Sequence, residues 1–252
     1  MNGAQMVKTT VNRLRYMGVC NVCGHRGMFA VRPDARDNLR ETLECAHCSC
    51  ISRDRFMAAV MAHCLKKPTI LTEWPVERDV VIREPSAYRG RAAVLADKVD
   101  FRPFRFPEEN LEALKDPDHS IDHIVTSDVF EHIRRDDLAF REVFRVLKPG
   151  GYFFLQVPYS HSEHTRTLVQ TEGDEDIYLC PPQYHDEDTL VYRIYGHDVL
   201  PWLEGIGFCV GYVNQGFPRW GVPPMDMIVC RKGALLEGDQ RHLVKFDRKW
   251  PI

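Results

Sequence analysis

The sequence predicts an α/β protein whose mostly parallel sheet ends in an antiparallel strand and follows a small cysteine-rich N-terminal module. Five of the nine cysteines lie between Cys20 and Cys50, and after residue 78 β-type and helix-type segments alternate along the chain. Such alternation is typical of a parallel sheet that is covered by helices on both faces. A lysine- and proline-containing stretch at 66–75 separates the two parts. We therefore expect a module over residues 1–66, including a linking helix, and a larger domain over residues 67–252.

The composition is that of an ordinary globular protein. Of 252 residues, 44% are hydrophobic and 27% are charged, and the net charge is −3. The balanced charge gives no support for nucleic acid or an anionic membrane as the main partner. No apolar run is long enough to span a bilayer, and the N-terminus lacks the apolar core of a secretory signal. We expect a cytoplasmic protein, and the sequence leaves its oligomeric state open.

The hydrophobic pattern predicts the elements of the larger domain. A helix is expected over 136–147, because its apolar residues recur at i, i+3, i+4 and i+7, and the Lys-Pro-Gly-Gly segment at 148–151 is expected to stop it. Further helices are expected over 54–65 and 196–206, and one opens at residues 89–90. Strands are expected over 79–83, 99–106, 123–126, 152–157, 208–213 and 225–231.

Two Cys-x-x-Cys pairs, Cys20–Cys23 and Cys45–Cys48, predict a metal site in the N-terminal module. In a chain without an export signal, clustered cysteines favour metal ligation over disulfides. The two pairs together supply the four thiolates of a tetrahedral structural zinc site. A closed shell of this kind leaves no coordination position for a substrate, so we expect a structural role. Three neighbouring side chains are alternative ligands: His25, His47 and Cys50.

Two segments carry a resemblance to known enzymes. Residues 120–132 (SIDHIVTSDVFEH) form an apolar strand that runs into an acidic residue and a Glu-His pair, and residues 140–158 (FREVFRVLKPGGYFFLQVP) form a helix, its stop and a strand. Together they resemble the fourth strand, following helix and fifth strand of class I S-adenosylmethionine-dependent methyltransferases of the type 11-like group. Cys45–Arg53 and Pro182–His185 further resemble members of that group with an N-terminal zinc ribbon.

The resemblance implies a Rossmann-like sheet that binds S-adenosylmethionine beyond the carboxyl ends of its strands, where open α/β sheets bind ligands. In this interpretation Glu84 lies near the amino-acid moiety of the cofactor and Glu109 near the adenine amino group. The full set of cofactor-binding candidates is Glu84, Ser86, Gly90, Glu109, Asn110, Asp128, Val129 and Phe130.

The sequence departs from the family pattern in two places. The glycine-rich turn after the first strand is replaced by residues 84–90, in which only Gly90 offers a close backbone approach. The interval from Gly90 to Glu109 is also short for the helix, strand and turn that the family fits there. Asp97 or Asp100 would supply the carboxylate that binds ribose.

Catalysis by this family needs an acceptor held in line with the methyl group, and a base where the acceptor must lose a proton. Histidines are the natural bases to consider. The resemblance places the loop after the fifth strand and the Tyr-His segment over the cofactor. The catalytic candidates are therefore His185 and Tyr184 first, and His161 second.

The sequence supports three functional hypotheses. The first is a methyltransferase that acts on a small-molecule or sugar-containing metabolite. The second is a non-catalytic methyltransferase-like scaffold, which the missing glycine turn favours. The third is an S-adenosylmethionine-binding fold that catalyses another reaction, such as a cyclisation. Nucleic-acid methylation is a weaker fourth hypothesis, because the chain lacks a basic stripe with interleaved aromatic residues.

Overall fold

The N-terminal module of the computed structural model is a three-stranded antiparallel sheet followed by a helix. The structure describes residues 16–31, 37–85, 89–185 and 188–233. The module's strands and helix are β1 (Tyr16–Val19), β2 (Arg26–Ala30), β3 (Glu44–Cys45) and α1 (Ser52–Cys64). Helix α1 forms where the sequence predicts it. It is buried on nearly all sides, because it lies between the module and the larger sheet.

The first half of the larger domain alternates strands and helices. Its elements are β4 (Glu77–Pro85), α2 (Arg89–Lys98), β5 (Val99–Phe104), β6 (Ile121–Ser127), α3 (Asp136–Val146) and β7 (Leu147–Gln156). Strands β4, β5, β6 and β7 pair in parallel, as the alternation predicts. Acidic residues in the first turn of α3 and Arg145 in its last turn complement the helix dipole.

The second half adds short hairpins and an antiparallel edge. Six short strands come first: β8 (Arg166–Thr167), β9 (Val169–Glu172), β10 (Glu175–Tyr178), β11 (Tyr184–His185), β12 (Thr189–Leu190) and β13 (Arg193–Ile194). Helix α4 (Val199–Ile206) and the long strands β14 (Phe208–Phe217) and β15 (Val222–Lys232) follow. The six-stranded sheet has the order β14-β15-β7-β6-β4-β5, and β15 is antiparallel to both of its neighbours.

Several predicted boundaries are shifted; β14 ends at Phe217 instead of residue 213, and β15 begins at Val222 instead of residue 225. The segment predicted to stop α3 is the start of β7, because Leu147 already pairs with Ile121 of β6. Gly151 permits this pairing, since a Cβ atom there would lie 2.6 Å from the carbonyl oxygen of Asp122. Helix α4 starts three residues later than predicted, because the preceding backbone N–H groups donate to carbonyls of the 162–163 loop instead.

Side chains alternate between the two faces of the sheet and feed two cores. Phe153 and Leu155 of β7 pack with α3 and α4, whereas Phe154 packs on the other face with α1 and the module. The module therefore takes the place of a helical layer on one side, and both faces of the sheet are covered. The predicted boundary after residue 66 runs through this shared core and stays a prediction. In the described ranges, no helix is long and apolar enough to cross a membrane.

A buried arginine joins α1 to both neighbouring parts. The Arg55 side chain is fully buried and donates to the carbonyl oxygens of Leu43 (2.6 Å), Cys50 (2.7 Å) and Trp220 (2.7 Å). Its guanidinium also lies over the ring of Phe29, 3.9 Å from the centroid. Because a guanidinium is the only side chain with this many fixed donors, it can satisfy several buried carbonyls at once.

We predict that Arg55→Met destabilises the protein by about 3 kcal/mol or more, because it leaves several buried carbonyl groups without a donor. The free energy of unfolding would be measured by urea denaturation. Arg102→Met is the matched control, since Arg102 is exposed and should change stability by less than about 0.5 kcal/mol. Equal stability of the two variants would contradict the structural role of Arg55.

Candidate active site

Two acidic residues, Asp128 and Glu131, follow the carboxyl end of β6. Asp128 follows the strand with a φ of 52°, a left-handed conformation that aspartate tolerates better than most residues. Its backbone N–H donates to the carbonyl oxygen of Gln156 at 2.9 Å, which fixes the turn to the end of β7. The chain then enters a short 3₁₀ helix, Phe130–His132. As the sequence predicts, Asp128 lies at the sheet edge where ligands of this fold bind.

Two arginines of the N-terminal module bind the Asp128 carboxylate. Arg40 donates to one oxygen and Arg53 to the other, and Arg53 also lies 3.3 Å from a carboxylate oxygen of Glu41. Burial alone would raise the pKa of Asp128, but the charges and hydrogen bonds of the two arginines outweigh it and the pKa lies below its usual value. Asp128 is therefore ionised and carries two cationic neighbours. Sequence reasoning gave neither arginine a role in the site.

The other two predicted carboxylates also pair with arginines. Both oxygens of Glu84 accept from Arg91, at 2.5 and 2.9 Å, and both side chains are buried. Glu109 accepts from Arg83, which also lies 3.2 Å from Asp116. These pairs anchor the ends of β4 and β5. A ligand that binds Glu84 or Glu109 must share the carboxylate with its arginine.

Glu131 is the buried carboxylate of this region that has no arginine partner among the described residues. Its side chain is 0% exposed, and within the described ranges neither oxygen has a hydrogen-bond donor. Burial, with a further contribution from the Asp128 charge, raises the pKa of Glu131 to about 8. Its Oε1 atom lies 3.6 Å from Nε2 of His132 and 3.7 Å from Nδ1 of His185. The sequence flagged the Glu-His pair but assigned Glu131 no function.

A cavity of about 1860 Å³ opens over these residues. Typical ligand pockets occupy roughly 300–1,000 Å³, so there is room for a cofactor and an acceptor together. Arg40, Arg53, Glu84, Glu109, Asp128 and His185 all line it. Asn110, Val129 and Tyr184 line it as well, so six of the predicted cofactor or catalytic residues besides Asp128 face one space.

Three of the remaining predicted residues lie elsewhere. Gly90 packs against the metal module, where an added Cβ atom would lie 2.3 Å from the carbonyl oxygen of Cys48. Phe130 is buried in the core and stacks on Phe140, with ring centroids 4.4 Å apart. His161 contacts Tyr212 and lies 3.1 Å from a carboxylate oxygen of Asp226.

These placements do not fit the predicted roles of Gly90 and Phe130. The close approach at Gly90 serves contact with the module, and the Phe130 side chain faces away from the cavity because the 3₁₀ turn directs it inwards. Neither Asp97 nor Asp100 is among the residues that line the cavity; Asp100 pairs instead with Arg102 on the surface. Ser86 lies outside the described residues.

The four predicted metal-binding cysteines converge. The sulfurs of Cys20 and Cys48 are 3.6 Å apart, those of Cys23 and Cys45 are 3.7 Å apart, and all four lie within 4.8 Å of one another. A tetrahedral ion with bonds of about 2.3 Å would separate its sulfur ligands by about 3.8 Å. The group could therefore hold one metal ion. The alternatives Cys50, His25 and His47 are not part of this group.

Comparison with known proteins agrees with the architecture. The sheet order, with parallel strands and an antiparallel β15, is that of a class I methyltransferase fold. Residues 82–155, from β4 to β7, match the family model described as "Methyltransferase domain". This central part of the chain is therefore similar to a methyltransferase domain.

Two solved structures illustrate the similarity. One is a chain from the complex between the Haloferax volcanii Trm112 methyltransferase activator and a methyltransferase, with 16% identity, 72% of this chain and 94% of that chain covered, and a TM-score of 0.43. The other is an S-adenosylmethionine-dependent methyltransferase from Mesorhizobium loti, with 14% identity, 69% and 98% coverage, and a TM-score of 0.41.

We predict a measurable coupling between Arg53 and Asp128. In a double-mutant cycle of Arg53→Gln and Asp128→Asn, the interaction energy from urea denaturation should reach about 1 kcal/mol, because the side chains are only 24% and 13% exposed. Asparagine suits the left-handed backbone at 128. The control cycle uses Arg102 and Asp100, which are 48% and 35% exposed and should couple by less than about 0.5 kcal/mol. Similar interaction energies in both cycles would contradict a strong, mostly buried contact between Arg53 and Asp128.

Proposed function

We propose that this protein is an S-adenosylmethionine-dependent methyltransferase whose acceptor is a small-molecule or sugar-containing metabolite. The observation that supports this most is the cavity at the carboxyl ends of β4 and β6. It is large enough for two ligands and brings carboxylates, arginines and a histidine to one wall.

The charges around the cavity fit this cofactor. S-adenosylmethionine carries a cationic sulfonium and amino group, a carboxylate and an adenine ring. Asp128, Glu84 and Glu109 supply negative charge, and Arg40 and Arg53 supply partners for a carboxylate. Val129 and Asn110, to which the family resemblance gives a role in cofactor binding, line the same cavity. When bound, the cofactor supplies an electrophilic methyl group.

Tyr184 and His185 face the acceptor in this proposal. Both lie on the short strand β11, both are about half exposed, and both line the cavity. Histidine can bind or deprotonate an acceptor near neutral pH. His161 is less well placed, since its ring is held by Asp226 and Tyr212.

A second candidate is a non-catalytic methyltransferase-like scaffold. The specific observation in its favour is that Asp128, Glu84 and Glu109 each pair with an arginine of the chain itself. In a scaffold the contacts of Asp128 would hold the module against the sheet, the other two pairs would hold parts of the larger domain together, and none of the three carboxylates would be left for a cofactor. Ligand binding separates the two candidates.

The test is calorimetric titration with S-adenosylmethionine and S-adenosylhomocysteine. We expect micromolar binding of both, and at least about tenfold weaker binding by Asp128→Ala, because loss of one charge-assisted contact costs about 1.5–3 kcal/mol. The control is Asp100→Ala, which changes a carboxylate outside the cavity lining. Absence of binding by the wild-type protein would favour the scaffold.

Turnover measurements test the proposed acceptor class and the roles of His185 and Tyr184. A panel of monosaccharides, nucleotide sugars and phenols would be incubated with S-adenosylmethionine and screened by mass spectrometry for gain of a methyl group. With any acceptor found, His185→Ala and Tyr184→Phe should lower kcat, by about 10²-fold for the histidine, and leave S-adenosylhomocysteine affinity unchanged. Equal losses of turnover and affinity would indicate a folding defect instead.

We also propose that the four cysteines of the module hold a structural zinc ion. The wild-type protein should contain one zinc per chain by elemental analysis, and Cys20→Ser or Cys45→Ser should lose it, because a three-thiolate shell binds the ion less tightly. Cys209→Ser is the control, since that exposed thiol lies on β14. Chelation should expose residues 16–64 to limited proteolysis, and a metal-free protein with unchanged protease resistance would argue against a structural ion.

A further inference from the structure

A second group of metal-ligating side chains lies beside the cavity. Glu131, His132 and His185 come from the 3₁₀ turn after β6 and from strand β11, and one ligand atom of each lies within 4.8 Å of the others. The two histidine rings meet edge to face, with centroids 4.8 Å apart. None of these three residues belongs to the cysteine group of the module.

The distances within the group suit a single ion. Nδ1 of His185 lies 3.0 Å from Nε2 of His132, and Oε1 of Glu131 lies 3.7 Å and 3.6 Å from these two nitrogens. An ion about 2.1 Å from each ligand atom would separate the ligand atoms by about 3.0 Å at a right angle and about 3.4 Å at the tetrahedral angle. The observed separations require only small shifts to reach either geometry.

The protonation of His132 is set by its backbone partner. Its Nδ1 atom lies 2.7 Å from the carbonyl oxygen of Leu190. A carbonyl only accepts, so Nδ1 carries the proton and Nε2 presents its lone pair to His185 and Glu131. Metal-ligating histidines are usually oriented in this way, by donation from the other ring nitrogen to a carbonyl or carboxylate.

Glu131 supplies an independent observation that points to a ligand at this group. Its side chain is completely buried, yet within the described ranges no donor lies within hydrogen-bond distance of either oxygen. A buried carboxylate without a donor is costly, and buried charges are normally paired or coordinate a metal. Three electron-rich atoms this close together are stabilised by a cation between them.

We propose that Glu131, His132 and His185 bind a divalent transition-metal ion that keeps open coordination positions towards the cavity. Two imidazoles and one carboxylate suit zinc, iron(II), manganese(II) or cobalt(II). Three protein ligands leave room for exogenous ligands, in contrast to the closed cysteine group. Because His132 and His185 both line the cavity, a molecule bound there can reach the ion.

The site also narrows the class of acceptor, an extension that rests on the proposed function. An ion with open positions binds hydroxyl oxygens and lowers the pKa of a bound hydroxyl group. An acceptor with two neighbouring hydroxyl groups could chelate the ion and lose one hydroxyl proton to solvent. The resulting oxygen anion would take the methyl group as the carbon–sulfur bond of the sulfonium breaks and S-adenosylhomocysteine leaves. We therefore infer that the acceptor is a vicinal diol or catechol-like compound, and that His185 acts as a metal ligand.

The test is a cobalt(II) titration of protein that carries one zinc ion per chain, in the cysteine group, followed by visible and near-ultraviolet absorption. We expect one cobalt ion to bind, with visible d–d bands and without the thiolate charge-transfer band of a cysteine site. Glu131→Gln, His132→Ala and His185→Ala should each weaken binding by more than the roughly 10- to 100-fold that loss of an outer-shell partner costs. His164→Ala is the matched control, because that exposed histidine lies outside the group and should bind cobalt like wild type.

Several results would contradict the proposed metal site. These are absence of cobalt binding by the wild-type protein, equal binding by wild type and the three variants, or a thiolate charge-transfer band as the only signal. His185→Ala is the most informative variant, since His185 is about half exposed on a two-residue strand and its loss should not impair folding. Zinc content and far-ultraviolet circular dichroism would verify the fold of each variant.

Two further measurements separate this inference from the proposed function. Catechol should shift the visible cobalt bands, and 1,2-dimethoxybenzene should not. Unchanged bands with catechol would contradict the proposal that the bound ion keeps open coordination positions. S-adenosylhomocysteine binding, measured on the same samples, reports on the methyltransferase proposal alone. Cobalt binding without nucleoside binding would keep the metal site and remove its link to methyl transfer, whereas the reverse would keep the enzyme and overturn the metal site.

Discussion

The arrangement of the site depends on how the negative charge at the carboxyl end of β6 is compensated. Asp128 and Glu131 are three residues apart; the Glu131 side chain is fully buried, and that of Asp128 is 13% exposed. Arg40 and Arg53 of the N-terminal module neutralise Asp128, whereas Glu131 faces only two histidines. The module therefore does more than cover a sheet face, because its arginines keep Asp128 ionised, whereas the pKa of Glu131 is raised to about 8 and its carboxyl group is largely protonated at neutral pH.

The same module is held in place by contacts that depend on its cysteine group. Cys48 lies against the backbone of Gly90, and the carbonyl of Cys50 accepts from Arg55. These contacts link the metal-binding loops to α2 and to the β14–β15 turn. An ion in the cysteine group would thus stabilise the module that carries Arg40 and Arg53. Loss of the ion would then change the charge next to the cavity, although the ion itself would not touch a ligand bound there.

The sequence predicts the features that depend on local pattern or short spacing. Helix α3 follows from its apolar periodicity, and the cysteine group follows from the two Cys-x-x-Cys pairs. The contact of Arg40 with Asp128 joins residues 88 positions apart, and no periodicity marks it. The surroundings of Gly90 and Phe130 could not be predicted for a related reason: the family resemblance gives a position on the chain, but tertiary packing places Gly90 against the module and Phe130 in the core.

The charge pattern also bears on the choice between an enzyme and a scaffold. Arg40 and Arg53 share two carboxylates, Asp128 and Glu41, so these four groups are balanced in charge. Glu131 lies one short helical turn away, and no arginine of the described residues pairs with it. A purely structural role explains the balanced groups, as it explains Glu84 with Arg91. It does not explain a fully buried carboxyl group without a hydrogen-bond donor beside them, so Glu131 is the feature of this region that a scaffold alone does not account for.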